Sequence, residues 1–110
     1  NLNKSLIAQS DLLGSLKPNK YHLALLQEPY IDHLQQSRTN PRFISVYPTP
    51  HKKSPERSRS LILVNSHLSS SAWTQIPIDS SDMTAIELKG EFGIIRVFNL
   101  YNDCDHNSTL

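Results

Sequence analysis

The sequence predicts an α/β domain dominated by a mainly antiparallel sheet, with one or two helices. Three observations support this fold class. Short apolar segments rich in β-branched and aromatic residues recur along the chain, as they do in strands. Apolar residues at helical spacing occur mainly in one segment near the N-terminus. The chain has 110 residues, which is enough for one domain with a single core.

The beginning of the chain predicts a strand–helix–strand unit. Residues 1–3 alternate polar and apolar side chains and lead into a helix predicted over 4–16, which Pro18 ends. The segment 21–27 is nearly continuously apolar, which is typical of a strand covered on both faces. If the two strands are parallel, we expect a right-handed crossover between them.

Most of the remaining chain predicts strands and turns. A short helical turn is expected over 31–36. The segment 48–58 is interpreted as an exposed loop because it contains three prolines and three lysine or arginine residues. Lys89-Gly90-Glu91 is the clearest hairpin signal in the chain. The predicted strands are 43–47, 60–65, an edge strand over 73–78, and the hairpin strands 84–88 and 93–100.

The balance of strands and helices indicates an incomplete sheet domain. The segments 23–27, 61–64 and 94–98 are apolar enough to be buried on both faces. One helix covers only one face of a sheet, so another element must cover the second face. We therefore expect residues 1–110 to be the N-terminal part of one larger, truncated domain.

Composition excludes several classes of protein. The formal net charge of +1 excludes a strongly cationic, histone-like nucleic-acid binder, although it leaves room for a locally basic surface. The single cysteine, Cys104, excludes an internal disulfide framework and a multi-cysteine zinc site. No apolar run approaches the ~18 residues of a membrane span. The expected location is therefore a reducing, intracellular compartment, with no membrane partner.

The near-neutral total hides a division of charge along the sequence. Between residues 38 and 59 there are six basic residues and one acidic residue, whereas residues 77–110 contain six acidic and two basic residues. This arrangement could hold a polyanion near a metal ion, or the basic segment could simply be a solvated loop. The basic candidates for contacting phosphate are Arg38, Arg42, Lys52, Lys53, Arg57 and Arg59.

Polar residues also occur where predicted strands end. These are Asn1 and Asn3, then Glu28, then Tyr101. Oxygen ligands of this kind suit Mg²⁺, which is usually held by one or two carboxylates and retains several waters. Each residue also has an ordinary structural interpretation: Asn3 as a helix-entry residue, Glu28 as a strand-end charge and Tyr101 as a sheet-edge aromatic. The five histidines have no ligand spacing and are expected at the surface.

The order of these motifs resembles the endonuclease/exonuclease/phosphatase superfamily. Within it, the sequence is most similar to the apurinic-like endonuclease domain of fungal LINE-type (non-LTR) retrotransposon endonuclease–reverse transcriptases. The likeness runs through the whole chain and corresponds to the N-terminal half of the family domain. It is carried by Asn1-Leu2-Asn3-Lys4-Ser5 with Ala8-Gln9, Leu26-Gln27-Glu28-Pro29-Tyr30, Arg59-Ser60, and Asn99-Leu100-Tyr101-Asn102-Asp103-Cys104.

The resemblance implies a fold and a set of site residues. Members of the superfamily are four-layer α/β sandwiches, of which this chain would supply about the first half, one mainly antiparallel sheet plus one or two helices. By position, Asn1 looks like the first-strand asparagine of the metal and phosphate site, and Glu28 like the metal-binding glutamate. Tyr101 resembles the tyrosine that hydrogen-bonds the scissile phosphate. Asn3 stands where apurinic endonucleases have a carboxylate.

The resemblance also implies a function. It predicts Mg²⁺-dependent phosphodiester hydrolysis, with Mn²⁺ as a possible substitute, by a DNA-nicking domain linked to a reverse transcriptase in a nuclear parent protein. The family's Gly-Asp-Phe-Asn and Ser-Asp-His motifs do not occur in this sequence, so we expect the chain alone to be inactive. Two alternatives remain: a non-catalytic remnant or binding module of the same fold, and a phosphatase or phosphodiesterase branch of the superfamily.

Overall fold

The computed structural model describes residues 2, 4, 6–9, 22–32, 34, 36–37, 41–91 and 93–102. Asn1, Asn3 and Arg38 of the predicted site lie outside the described residues, as does most of the predicted N-terminal helix, of which residues 6–9 are helical. The strands are β1 (Leu23–Gln27), β2 (Phe43–Val46), β3 (Ser60–Asn65), β4 (Trp73–Ile76), β5 (Met83–Gly90) and β6 (Gly93–Leu100). Two short 3₁₀ helices cover Thr49–Lys52 and Pro55–Arg57.

The six strands form two antiparallel sheets of three strands, ordered β1-β3-β2 and β4-β5-β6. The prediction of a mainly antiparallel fold with few helices is confirmed for the described part of the chain. The prediction of one sheet is wrong. β4, β5 and β6 follow one another through short connections and pair with their own sequence neighbours, which gives a second sheet.

β3 is the centre of the core, and all six of its residues are buried. Successive side chains of a strand point to opposite faces. Ile62 and Val64 therefore pack on one face of the first sheet with Ile86 of the second sheet, whereas Leu61 and Leu63 pack on the other face. The prediction that this strand is buried on both faces is confirmed.

The same prediction is wrong for β6. Ile94, Ile95 and Phe98 are 59%, 47% and 53% exposed. Val97 packs against the interior cluster and Asn99 is buried, so Phe98 between them points away from the first sheet. The hairpin strands have eight residues each, more than the five of β1 and the six of β3, so the hairpin tip extends beyond the strands that cover its base.

The structure confirms the predicted hairpin but differs from the prediction of an exposed loop over 48–58. The hairpin is confirmed: Gly90 pairs with Gly93, whose φ of +105° requires glycine. The segment 48–58 is not simply an exposed loop, because its two 3₁₀ helices contain the buried residues His51 and Pro55. Lys52 remains exposed. In the described residues, no helix is long and apolar enough to cross a membrane.

Candidate functional site

Four side chains from four strand termini meet at one end of the two sheets. Glu28 directly follows β1, Arg59 directly precedes β3, Asp82 directly precedes β5, and Tyr101 directly follows β6. In an antiparallel pair the end of one strand lies beside the start of its partner. This places Glu28 near Arg59 and Asp82 near Tyr101, and the packing of the sheets brings the two pairs together. We call these four residues the strand-end cluster.

Glu28 and Tyr101, which are 73 positions apart, are in direct contact. The Tyr101 hydroxyl donates a hydrogen bond to Glu28 Oε1 at 2.5 Å. The backbone of both residues is also held: the Glu28 N–H donates to the Arg59 carbonyl and the Tyr101 N–H donates to the Asp82 carbonyl, each at 2.8 Å. These main-chain bonds determine where the two side chains begin, so the contact between them follows from the sheet framework.

Arg59 connects the two halves of the cluster. Its guanidinium carbon lies 4.8 Å from the centre of the Tyr101 ring, in a cation–π arrangement. Nε donates to Asp82 Oδ1 at 2.7 Å and Nη2 donates to Asp82 Oδ2 at 2.8 Å. A planar fork on a carboxylate fixes the orientation of the guanidinium as well as its position. Asp82 therefore positions Arg59, and Arg59 covers one face of the tyrosine.

The backbone at Glu28 has an unusual conformation. Glu28 has φ +50° and Lys4 has φ +56°, both in the left-handed region that residues with a Cβ seldom occupy. The two residues are joined by a hydrogen bond from the Lys4 N–H to the Glu28 carbonyl at 2.7 Å. Strained conformations of this kind are often found at functional sites. Here the residue in this conformation is the one whose carboxylate accepts from Tyr101.

Lys4 brings a second cation to the edge of the cluster. Its ammonium donates to the Glu56 carbonyl at 3.1 Å and interacts electrostatically with the Glu28 and Glu56 carboxylates. Burial lowers the pKa of Lys4 below its ordinary value of 10.5; Arg59 adds to this effect, and the two glutamates oppose it. A shallow cavity next to Lys4 is lined by Tyr30, Asp32 and Glu56, among others.

Three polar side chains near the cluster join the sheets. The Asn99 amide donates to the carbonyls of Leu26 and Leu61 at 2.8 and 2.9 Å, and Gln27 Nε2 donates to the Leu100 carbonyl at 2.7 Å. Ser60 Oγ donates to the Asn99 carbonyl at 2.8 Å. These groups hold β1 and β3 against β6, so they support the cluster and do not face a ligand.

The chain was compared with known proteins at the level of family, sequence and structure. No family model, curated protein or solved structure matches it.

The predicted basic residues are distributed over two environments. Arg59 belongs to the strand-end cluster. Arg42, Lys52, Lys53 and Arg57 are exposed. Lys52, Lys53 and Arg57 lie on or beside the two short 3₁₀ helices that lead into Arg59. The structure thus places part of the basic segment directly before the cluster in the chain.

A magnesium ion fits Glu28 on the chemistry of the available oxygens. Mg²⁺ is commonly held by one or two carboxylates together with waters and substrate phosphate. The Tyr101 hydroxyl occupies Glu28 Oε1, so a cation would bind through the other carboxylate oxygen. Over the described residues, no group of three or more His, Cys, Asp or Glu side chains could enclose a metal ion.

Sequence reasoning did not find Asp82 or Lys4 as site residues. Asp82 was counted only among the acidic residues near the C-terminus, and Lys4 only as the start of a helix. Asp82 comes directly before an apolar strand, as Glu28 comes directly after one, and that symmetry is a signal that could have identified it. His51 also differs from the expectation of a surface histidine, because it is buried against Tyr47.

Proposed function

We propose that this chain is part of a Mg²⁺-dependent, DNA-nicking endonuclease domain of the endonuclease/exonuclease/phosphatase superfamily, similar to those of LINE-type retrotransposons. The observation that carries the proposal is the contact between Glu28 and Tyr101. These are the two residues that the motif resemblance assigns to metal and phosphate, and they meet although they are 73 positions apart.

The proposal also concerns the fold of the complete domain and the organisation of the parent protein. The two stacked antiparallel sheets would form part of a four-layer α/β sandwich, with the remaining layers supplied by the second half of the domain. The parent protein would carry a reverse transcriptase domain on the same chain and act on DNA in the nucleus. In that setting the nick would provide a 3′-hydroxyl to prime reverse transcription.

Each residue of the cluster has a distinct role in the proposed chemistry. Glu28 would hold the metal ion, which supplies charge stabilisation at a phosphoryl oxygen and at the leaving oxygen. The Tyr101 hydroxyl has one proton, so it can donate either to Glu28 or to a phosphate oxygen. Arg59 and Lys4 place positive charge where a phosphate would approach, and Asp82 keeps the Arg59 fork in one orientation.

DNA binding would depend mainly on the exposed cations next to the cluster. Lys52, Lys53 and Arg57 would contact backbone phosphates, which fixes position without reading base sequence. Contacts of this kind release counterions, so the affinity should fall steeply as the salt concentration rises. The exposed basic residues would therefore supply affinity for DNA, whereas the strand-end cluster would carry out hydrolysis of the phosphodiester bond.

Plasmid nicking tests the proposal directly. The 110-residue chain is expected not to nick supercoiled DNA in Mg²⁺ or Mn²⁺, and the parent protein containing both missing motifs is expected to do so. In the parent, Glu28→Gln should reduce the nicking rate on the order of 100-fold or more. Glu91→Gln, an equivalent change at the exposed hairpin turn, is the matched control. Nicking that survives Glu28→Gln would refute the assignment of the site.

A second candidate is a non-catalytic DNA-binding module of the same fold. It is favoured by one observation, that the cluster satisfies its own polar groups: Tyr101 donates to Glu28, and Arg59 is paired with Asp82. For this candidate, salt-dependent DNA binding would be present in the parent while Mg²⁺-dependent nicking would be absent. A small-molecule phosphatase would instead hydrolyse a simple phosphate ester and leave the plasmid intact.

A further inference from the structure

The segment 48–58 contains the same four-residue pattern twice. Thr49-Pro50-His51-Lys52 and Ser54-Pro55-Glu56-Arg57 each consist of a hydroxyl residue, a proline, one further residue and a base. Two of the seven prolines of the chain follow a serine or threonine, and they are the prolines of these two copies. Proline-directed protein kinases recognise this arrangement: they accept a proline, which has no N–H, after the hydroxyl residue, and an acidic subsite binds the base. The pattern therefore indicates a phosphorylation site and gives two candidates.

The structure distinguishes the two copies by their burial. In the first copy, Thr49 and Lys52 are exposed and Pro50 is half-buried, so all three recognised side chains reach the surface. In the second copy, Pro55 is buried and Ser54 is only partly exposed. A kinase must contact the proline as well as the hydroxyl group. Folding therefore leaves the first copy accessible and covers the proline of the second.

The first copy forms a short 3₁₀ turn, which must open locally because kinases bind their substrates in an extended conformation. Pro48 and Pro50 donate no backbone hydrogen bond. The turn is closed by bonds from the His51 N–H to the Pro48 carbonyl, and from the N–H groups of Lys53 and Ser54 to the Pro50 carbonyl, at 2.9, 3.0 and 3.1 Å. A 3₁₀ turn has poorer hydrogen-bond geometry than an α-helix. Opening it is local and leaves the sheets intact.

We propose that Thr49 is phosphorylated by a proline-directed protein kinase with ATP as the donor. The Thr49 oxygen forms a bond to the γ-phosphorus, and the bond from that phosphorus to the β–γ bridging oxygen breaks. ADP leaves, and the hydroxyl proton passes to the catalytic base of the kinase. In the unmodified chain Thr49 Oγ1 accepts a hydrogen bond from the Ile78 N–H at 2.9 Å. The phosphate is therefore attached where the segment 48–52 meets the connection between β4 and β5.

The phosphate is expected to weaken DNA binding, a consequence that rests on the proposed function. A phosphothreonine carries a charge of about −1.5 to −2 at neutral pH. Lys52 lies three residues after Thr49 in the same 3₁₀ turn, a spacing at which side chains eclipse one another. Lys52 and Lys53 are also two of the exposed cations proposed to contact DNA. A dianion paired with them competes with the DNA phosphates.

Mass spectrometry after incubation with a cyclin-dependent kinase, Mg²⁺ and ATP tests the site. In the folded chain, Thr49 should gain one phosphate, and Ser54 should be modified on the order of tenfold more slowly, because its proline is buried. A synthetic peptide of residues 46–60 is the comparison. No fold covers either copy in the peptide, so Ser54 should react there at least as fast as Thr49.

Variants identify the groups that the kinase recognises. Lys52→Gln removes the base three positions after the acceptor and should slow modification of Thr49 about tenfold. Lys53→Gln changes the adjacent exposed lysine, which is outside the pattern, and should leave the rate unchanged. Thr49→Val retains the shape of the side chain but has no acceptor oxygen, so the phosphate on this turn should be lost.

Two results would overturn the phosphorylation site. One is a folded chain that gains no phosphate on Thr49, and the other is an unchanged rate in Lys52→Gln. The effect on DNA is measured separately: the phosphorylated chain should bind a short duplex about tenfold more weakly than the unmodified chain at low salt. Equal affinities would overturn the regulatory effect alone. An unmodified chain that does not bind DNA would count against the proposed function and this effect, whereas the phosphate on Thr49 is detected by its mass.

Discussion

The Tyr101 hydroxyl lies 2.5 Å from Glu28 Oε1 and donates its only side-chain proton to that carboxylate. The bond joins the residue after β6 to the residue after β1, and therefore one sheet to the other. It also couples the two residues chemically: any group that takes the tyrosine proton changes the environment of Glu28. A substitution at either position is thus expected to affect the other.

Tyr101→Phe removes this bond and retains the ring beneath Arg59. Because the acceptor is charged and the site is only partly buried, we expect the free energy of unfolding to fall by about 1 kcal/mol. Urea denaturation measures the change. Tyr30→Phe, at another partly buried tyrosine outside the cluster, is the control. An unchanged midpoint for Tyr101→Phe would mean that the hydroxyl contributes no net stability.

The Arg59–Asp82 pair should be stronger than an ordinary surface ion pair. Its side chains are 26% and 9% exposed and share two hydrogen bonds. A double-mutant cycle with Arg59→Met and Asp82→Asn should give a coupling energy of about 1–2 kcal/mol. The Arg96–Glu87 pair, 3.9 Å apart with Arg96 62% exposed, should give below about 0.5 kcal/mol. Equal values for the two cycles would contradict the prediction.

Asn99→Ala should be among the most destabilising substitutions in the chain. It removes two hydrogen bonds to β1 and β3 and leaves a cavity at a buried position, so we expect a loss of about 2–3 kcal/mol. Asn102→Ala, at an exposed asparagine three residues later, should change stability by less than about 0.5 kcal/mol. Thermal and urea unfolding of both variants makes the comparison, and similar losses would argue against the structural role of Asn99.

The lowered pKa of Lys4 predicts a pH dependence of stability. Burial disfavours the ammonium in the folded state. Between the lowered pKa and the ordinary value of 10.5, the folded chain has released a proton that the unfolded chain still binds. Stability conferred through this group therefore rises with pH across that interval. Lys4→Met should remove this contribution, so the difference in stability between the two proteins should shrink as the pH rises from the lowered pKa towards 10.5.

Two substitutions at Glu28 can distinguish the effect of the left-handed backbone conformation from the effect of the carboxylate. Glu28→Ala and Glu28→Gly both remove the carboxylate and the acceptor of the Tyr101 bond, but only glycine adopts φ +50° without a steric penalty. The glycine variant should accordingly be more stable than the alanine variant by about 1 kcal/mol. Chemical denaturation of the pair decides the point: a less stable glycine variant would mean that the backbone conformation is not strained.

Local signals predicted the strands well. β3 was recognisable because its apolar run is uninterrupted, and the β5–β6 hairpin because Gly90 sits beside a turn between two alternating segments. The division into two sheets was not predictable in this way. It depends on pairings between strands that are distant in sequence, such as that of Leu26 with Leu61.

The site was only partly predictable, because its contacts also join residues that are distant in sequence. The sequence placed Glu28 and Tyr101 at strand ends, where polar side chains follow apolar runs, but it contains no local signal that the two touch. Asp82 was missed because its importance comes from its partner, Arg59, which is 23 positions away. His51 was expected at the surface, whereas stacking on Tyr47 buries it.

The hydrogen bonds of the Asn99 amide also affect how the two sheets unfold. Because one side chain of β6 is bonded to both β1 and β3, neither sheet can separate without breaking bonds that the other needs. The two sheets should therefore open together in a single cooperative transition. Backbone amides in β3 and β5 would then exchange with solvent at a common rate set by global unfolding.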